Sequence, residues 1–238
     1  MNSALLADGL RALALPDDGP LAARLAAYLE AIEAWNPTHG LVGASGDELI
    51  VKHILDSLAP LTLLDGLMAE AATGRAALGP GQIAAARARP SLADFGTGAG
   101  LPGIPLALAR PEWDLSLVDR MTRRIHFLEE MKLKLPLPNA EILEAQVEQV
   151  KGSWDLVTFR AFRPFERKLF KKVFAACAPW GFVAAYKGRR EKAEAELAEI
   201  EGLYSSAEIV DLAVPFLEEE RCLVVLSPAP RPGAASKI

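Results

Sequence analysis

Residues 92–109 read LADFGTGAGLPGIPLALA, and the parsing of this stretch decides the fold. A short apolar run ending in Asp94-Phe95 leads into Gly96-Thr-Gly98-Ala-Gly100-Leu-Pro-Gly103 and then into an apolar segment of helix character. The order is strand, glycine turn, helix. Glycine permits positive φ and lets a ligand press against bare backbone, while the helix that follows offers free N–H groups and the positive end of its dipole. Outward from this turn, the apolar runs SLADF, DLSLVD, AEILEA, WDLVTF and GFVAAYK are separated by amphipathic segments at 102–109, 121–133 and 163–177. That alternation predicts parallel βαβ units. After the segment 189–201, AEIVDLAV and RCLVVLS follow with no helix between them, which predicts a terminal antiparallel pair.

The expected fold class is therefore α/β: a Rossmann-like, mostly parallel seven-stranded sheet with a C-terminal antiparallel pair, the arrangement of a class I methyltransferase core. Gly98, Gly100 and Gly103 also satisfy GxGxxG, so the glycines alone do not choose between a dinucleotide and another nucleoside cofactor. Asp94, two residues before Gly96, extends the pattern to DxGxGxG, more typical of S-adenosylmethionine sites, where an acid can reach the cofactor's ammonium group. Asp119 closes the second strand; it can accept ribose hydroxyls there, or cap the helix that starts near Met121. Gln146-Val147-Glu148 follows the third strand. Arg160 ends the fourth, beside the crevice at the switch point of a doubly wound sheet, where an arginine pairs with a carboxylate or a phosphate, or simply faces solvent.

The chain of 238 residues carries a net charge of −5 and is 51% hydrophobic and 24% charged, values of a globular protein with a core of its own. Cys177 and Cys222 stand alone with no zinc-like spacing, and no metal is expected. No signal peptide or membrane-length apolar stretch is read, and a cytoplasmic location is expected. Residues 1–90 read as an N-terminal helical segment packed on a core at 91–228, with 229–238 as a disordered tail. Leu21, Leu25, Tyr28, Leu29, Ile32 and Trp35 fall at helical spacing, and Ser45 or Asp47 is a candidate cap for a second helix through Leu58. Residues 69–90 read as a poorly packed helix plus a linker. Between Arg120 and Lys192 there are 16 lysines and arginines against 8 acids. That segment carries +8 and the remainder −13, a lopsided field able to attract a polyanion.

These residues together resemble the small-ribosomal-subunit RNA methyltransferase G family, also called glucose-inhibited division protein B. The resemblance rests on Trp35-Asn36, KHILDSL (52–58), DFGTGAGLPGIPLAL (94–108), LVDRMTRRIHFLEEM (117–131), QVE (146–148), FRAF (159–162) and YKG (186–188), in order over roughly residues 25–190. The chain departs from it in PTHGLVG after Asn36, where the family runs N-L-T-like, and in a long 69–90 linker. The resemblance implies a SAM-dependent enzyme that methylates N7 of a guanine in 16S ribosomal RNA. Carried over residue by residue, it implies cofactor contacts at Gly96, Leu101, Val147, Glu148 and Arg160, beside Asp94, Gly98, Gly100 and Asp119 from the motif itself.

For such a reaction no Ser/His/Asp arrangement is needed, because guanine N7 attacks through an available lone pair and no proton must leave first. Positioning carries the rate, and Arg160 and Arg123 are the candidate catalytic residues. Arg123, Arg124, Arg163, Lys187 and Arg189 are the candidate RNA contacts, each weighed against a merely solvated surface cation. His53 reads either as a cover for the pocket or as a helix residue bonded to Asp56 or Ser57. Alternatives are a methyltransferase of a small molecule or protein, for which the basic strip is superfluous, and a non-catalytic nucleotide- or ribosome-binding module. The expected partner is 16S RNA or the small-subunit particle, with the protein a monomer.

Overall fold

The structure, a computed structural model, describes residues 2–77 and 89–229. Residues 78–88 of the stretch 69–90, expected to be a helix plus a linker, and residues 230–238 of the expected tail lie outside these residues. Seven strands form one sheet: β1 (Ser91–Phe95), β2 (Asp114–Asp119), β3 (Ala140–Glu144), β4 (Trp154–Arg160), β5 (Cys177–Lys187), β6 (Tyr204–Asp211) and β7 (Cys222–Pro228). Their order is β3-β2-β1-β4-β5-β7-β6. The β1–β2, β1–β4, β2–β3 and β4–β5 pairs are parallel, and β7 runs antiparallel to both β5 and β6. The strand order reverses between β1 and β4, so the carboxyl ends of these strands open a crevice at the switch point.

Both faces of the sheet are covered, which explains the near-continuous apolar runs. Leu92, Leu115, Leu117, Leu156, Ala184 and Leu223 point into one core; Ala93, Val118, Val157, Val183 and Val224, one residue out of phase, point into the other. The first core is closed by α1 (Ser3–Ala12), α2 (Gly19–His39), α5 (Leu61–Ala76), α6 (Gly103–Ala109) and α7 (Thr122–Lys134), the second by α8 (Arg167–Ala176) and α9 (Arg190–Glu199). The N-terminal helices thus share a core with the sheet. Polar ties reinforce it at the foot of the sheet, where buried Asp155 accepts from the Ser91 N–H and hydroxyl (both 2.9 Å) and from Trp180 Nε1 (2.8 Å), with Arg75 of α5 at 3.5 Å.

Two local expectations are corrected. The helix after Gly46 is capped by neither Ser45 nor Asp47: Gly46 occupies the cap position, and Asp47 is the first residue of α3 (Asp47–Leu49). This helix widens into a π-helical turn (Ile50–Leu55) before resuming as α4 (Asp56–Leu58). The helix expected from Arg163 begins at Arg167, because Pro164 disfavours helical backbone at the residue before it. Residues 69–76 are helical as expected, the end of α5, where Ala71 alone is buried and Gly74 lies against Trp180. The helix through Trp35-Asn36 runs on through Pro37 to His39 and stops at Gly40 in left-handed conformation.

Candidate functional site

Gly96, Gly98 and Gly100 all adopt positive φ, at 68°, 62° and 92°. At Gly96 a side chain is excluded twice: by φ, and because a Cβ would lie 2.5 Å from Cδ2 of Phe162. The turn is pinned from beneath and from the side. Asp94 is fully buried, and its Oδ2 accepts from the Thr97 hydroxyl (2.5 Å) and the Gly103 N–H (2.8 Å). Tyr28 of α2 donates its hydroxyl to the Ala99 carbonyl at 2.6 Å. Its burial raises the phenol well above the usual range, so it stays a donor. Oδ1 of Asp94 has no hydrogen-bond partner among the described residues, and burial pushes this carboxyl up to about 6.

Beside the turn lies a first cavity of about 420 Å³, lined by Gly96, Val118, Asp119, Val147, Glu148 and Phe162 among others. Asp119 closes β2 at its rim: Oδ2 accepts from the Gly98 N–H (2.9 Å) and pairs with Arg124 (3.1 Å), while Oδ1 accepts from the Met121 N–H (2.9 Å) at the start of α7. Asp119 therefore borders the cavity and braces the approach to α7, but it is not the helix cap expected as the alternative: Met121 holds that position. Val147 and Glu148 sit in a 3-10 turn (Val147–Gln149) after β3. Glu148 is ion-paired with Arg163, which holds its carboxyl below the usual range.

Arg160 ends β4 as expected but does not line the first cavity. It lines a second cavity, of about 530 Å³, on the other side of Phe162. Its guanidinium donates to Oδ2 of Asp56 (2.8 Å), to the carbonyls of Lys52 (3.2 Å) and His53 (3.3 Å), and to Nδ1 of His53 (2.9 Å). The π-helical turn supplies Lys52 and His53, and Asp56, the first residue of α4, is tied further to Arg221 at 3.3 Å. The ring of His53 therefore meets Arg160 rather than Asp56 or Ser57; Ser57 instead donates its hydroxyl to the His53 carbonyl. Tyr186, buried at the end of β5, donates to the Ser57 carbonyl at 2.8 Å and fastens the same helix.

The other expected residues divide. Leu101 is buried, its N–H bound to the Thr97 carbonyl, and it lines neither cavity; nor do Asp94, Gly98 and Gly100. Lys187 is not a free cation: it pairs with Glu196 at 2.5 Å, lies over the Phe165 ring and is lowered by burial. Arg124 and Arg163 are likewise paired, with Asp119 and Glu148. Arg123 and Arg189 are exposed. Sequence reasoning missed the roles of Tyr28, Asp56, Phe162 and Tyr186. Tyr28 was legible only as one apolar position of a helix, and Phe162 as part of FRAF. Among the described residues no His/Cys/Asp/Glu group could hold a metal, and no helix is long and apolar enough to cross a membrane.

A solved structure described as a predicted O-methyltransferase from Agrobacterium tumefaciens superposes with a TM-score of 0.50 at 20% identity, over 63% of this chain and 78% of its own, a likeness of fold. Two proteins named ribosomal RNA small subunit methyltransferase G are similar along nearly their whole length. That of Nitrosomonas europaea is 35% identical over 93% of this chain and 95% of its own, and that of Treponema denticola 34% identical over 95% and 94%. The family model described as rRNA small subunit methyltransferase G matches residues 81–224. With the glycine turn, the reversed strand order and the antiparallel β7 behind these matches, the chain belongs to the rRNA small subunit methyltransferase G family.

Proposed function

We propose that this chain methylates N7 of a guanine in the 16S RNA of the small ribosomal subunit, drawing the methyl group from S-adenosylmethionine, the cofactor of this family. The observation that carries the reading is the pair of cavities at the switch point, one against the bare glycine turn and one beyond it, meeting at Ala161 and Phe162. The first fits an adenosyl group. Val118 and Val147 offer apolar walls, the carboxylates of Asp119 and Glu148 offer acceptors for hydroxyls, and Gly96 leaves its Cα uncovered.

Bound S-adenosylmethionine supplies a methyl group activated by sulfonium, and everything else is the work of this chain's residues. Gly96, Asp119, Val147 and Glu148 hold the cofactor, with Asp94 and Tyr28 fixing the turn they sit on. Arg160, which lines the second cavity one residue before the junction, would meet the cofactor's carboxylate only by sharing its hold on Lys52, His53 and Asp56. The accepting N7 has a lone pair, so no residue needs to take a proton, and Phe162 and the surrounding wall hold the base against the donor. Arg123 and Arg189 contribute phosphate contacts, whose strength falls with salt. The basic segment favours RNA over a small substrate, which has no use for it.

The test is methylation of small subunits from cells lacking the enzyme, using S-adenosylmethionine carrying a labelled methyl group. Borohydride reduction and aniline then cleave the RNA chain at 7-methylguanosine. Label in 16S RNA with cleavage at one guanine is the expected result; label at another base position, or in protein alone, overturns the reading.

A further inference from the structure

The second cavity has no assigned occupant, and its chemistry is specific. It shares only Ala161 and Phe162 with the first, so any group passing between the two crosses at that point. Ala161 has φ +48°, a left-handed backbone that costs a non-glycine residue free energy and clusters at active sites and ligand clamps, and it sets the direction of the residue that follows. The side chain aimed here is Phe162, half-buried, its ring packed on Gly96 and exposed to both cavities. A flat aromatic wall suits a base taken out of its stack.

Across the cavity stands His53. A guanidinium carries only donors, so the contact between Arg160 Nη2 and His53 Nδ1 makes Nδ1 the acceptor and leaves the ring proton on Nε2. Burial, with the positive charges of Arg160, Arg221 and Lys52, lowers this imidazole to about 4, so it is neutral near pH 7. Nε2 makes no hydrogen bond among the described residues. At His53 the cavity wall thus carries an uncharged N–H donor, set among the charged side chains of Lys52, Asp56, Arg160, Lys192, Glu196 and Arg221. Guanine shows two adjacent acceptors, O6 and N7, on the edge that receives the methyl, whereas adenine shows an amino donor beside N7. A neutral N–H donor suits O6 and adds no further cation to a wall that already holds Arg160, Arg221 and Lys52.

We infer that the second cavity seats the accepting guanine, stacked on Phe162, with Nε2–H of His53 donating to O6 so that N7 is left free to face the first cavity. This rests on the function proposed above. The Arg160 clamp makes His53 a base reader by fixing which nitrogen carries the proton.

The experiment compares wild type, His53→Phe, His53→Gln and Phe162→Leu for S-adenosylmethionine affinity by calorimetry and for kcat and KM on small subunits lacking the methyl group. His53→Phe keeps the ring without the donor, and His53→Gln restores an N–H. The expected result is cofactor affinity within threefold of wild type in both His53 variants. Alongside it, kcat/KM falls ten- to hundredfold in His53→Phe and in Phe162→Leu, with most of the His53 loss recovered in His53→Gln. A parallel fall of cofactor affinity and kcat/KM in His53→Phe overturns the inference, because His53 then only holds Arg160. Wild-type kcat/KM in His53→Phe and Phe162→Leu also overturns it. Absence of RNA methylation by the wild type marks the failure of the proposed function itself, a separate outcome.

Discussion

Asp94→Asn isolates the carboxyl beneath the glycine turn, and its effect on stability is large and of unusual sign. Burial raises the folded-state pKa from 3.8 to about 6, against the opposing pull of the Thr97 and Gly103 hydrogen bonds. In the unfolded chain the group titrates near 3.8. Between these values the folded protein binds more protons than the unfolded one, so the stability contributed by Asp94 falls as pH rises. Integrating the two titrations from pH 4.5 to 7.5 gives a loss of about 2 kcal/mol, at about 1.4 kcal/mol per unit. Asparagine carries no charge to desolvate. Its carbonyl oxygen can accept from the Thr97 hydroxyl and the Gly103 N–H, while its amide sits where Oδ1 has no partner. Urea unfolding of both proteins at pH 4.5, 5.5, 6.5 and 7.5 makes the comparison, since every other titrating group is common to the two. The asparagine variant gains on wild type by about 2 kcal/mol across the series, most of it before pH 6. Parallel stability curves, or a wild type that gains on the variant as pH rises, refute the reasoning.

Three further outcomes follow from which charges around the site are paired and which are exposed. Asp119→Ala strands the Gly98 N–H, the Met121 N–H and Arg124 at once; at about 1.5–3 kcal/mol for a charged hydrogen-bonding partner, S-adenosylmethionine affinity measured by calorimetry drops at least tenfold. Charge removal at Arg123 and Arg189 together, both exposed, lowers the slope of log affinity against log salt by about 1.4–1.8 in filter binding to 16S RNA. Lys187→Met, which removes a cation already paired with Glu196, leaves that slope within error of wild type.

How far the sequence can be read depends on how local the deciding physics is. The central strands β1, β2, β4 and β5 were legible because most of their residues are buried on both faces, and the glycine turn because its φ values demand glycine. The cap at Gly46 was not. Asp47 has the better capping side chain, but the chain takes a conformation there, φ 56° and ψ −133°, that glycine alone enters readily. The π-helical turn at Ile50–Leu55 was also invisible, because one extra residue in a turn barely alters apolar spacing over so short a helix. The partners of Arg160 lie 104 to 108 positions away, so its strand-end location could be foreseen but its clamp on His53 and Asp56 could not. Charge shows the same division. The excess of cations between Arg120 and Lys192 can be counted from the sequence, but which of them remain available cannot, since Arg124, Arg163 and Lys187 meet Asp119, Glu148 and Glu196 only through the arrangement of strand ends. A cation held by a carboxylate must give up that pair before it can bind a phosphate, and the exchange nearly cancels its electrostatic gain. The fold thereby sorts one basic strip into two kinds of cation: those paired with carboxylates around the cavities, and those, Arg123 and Arg189 among them, left exposed to solvent.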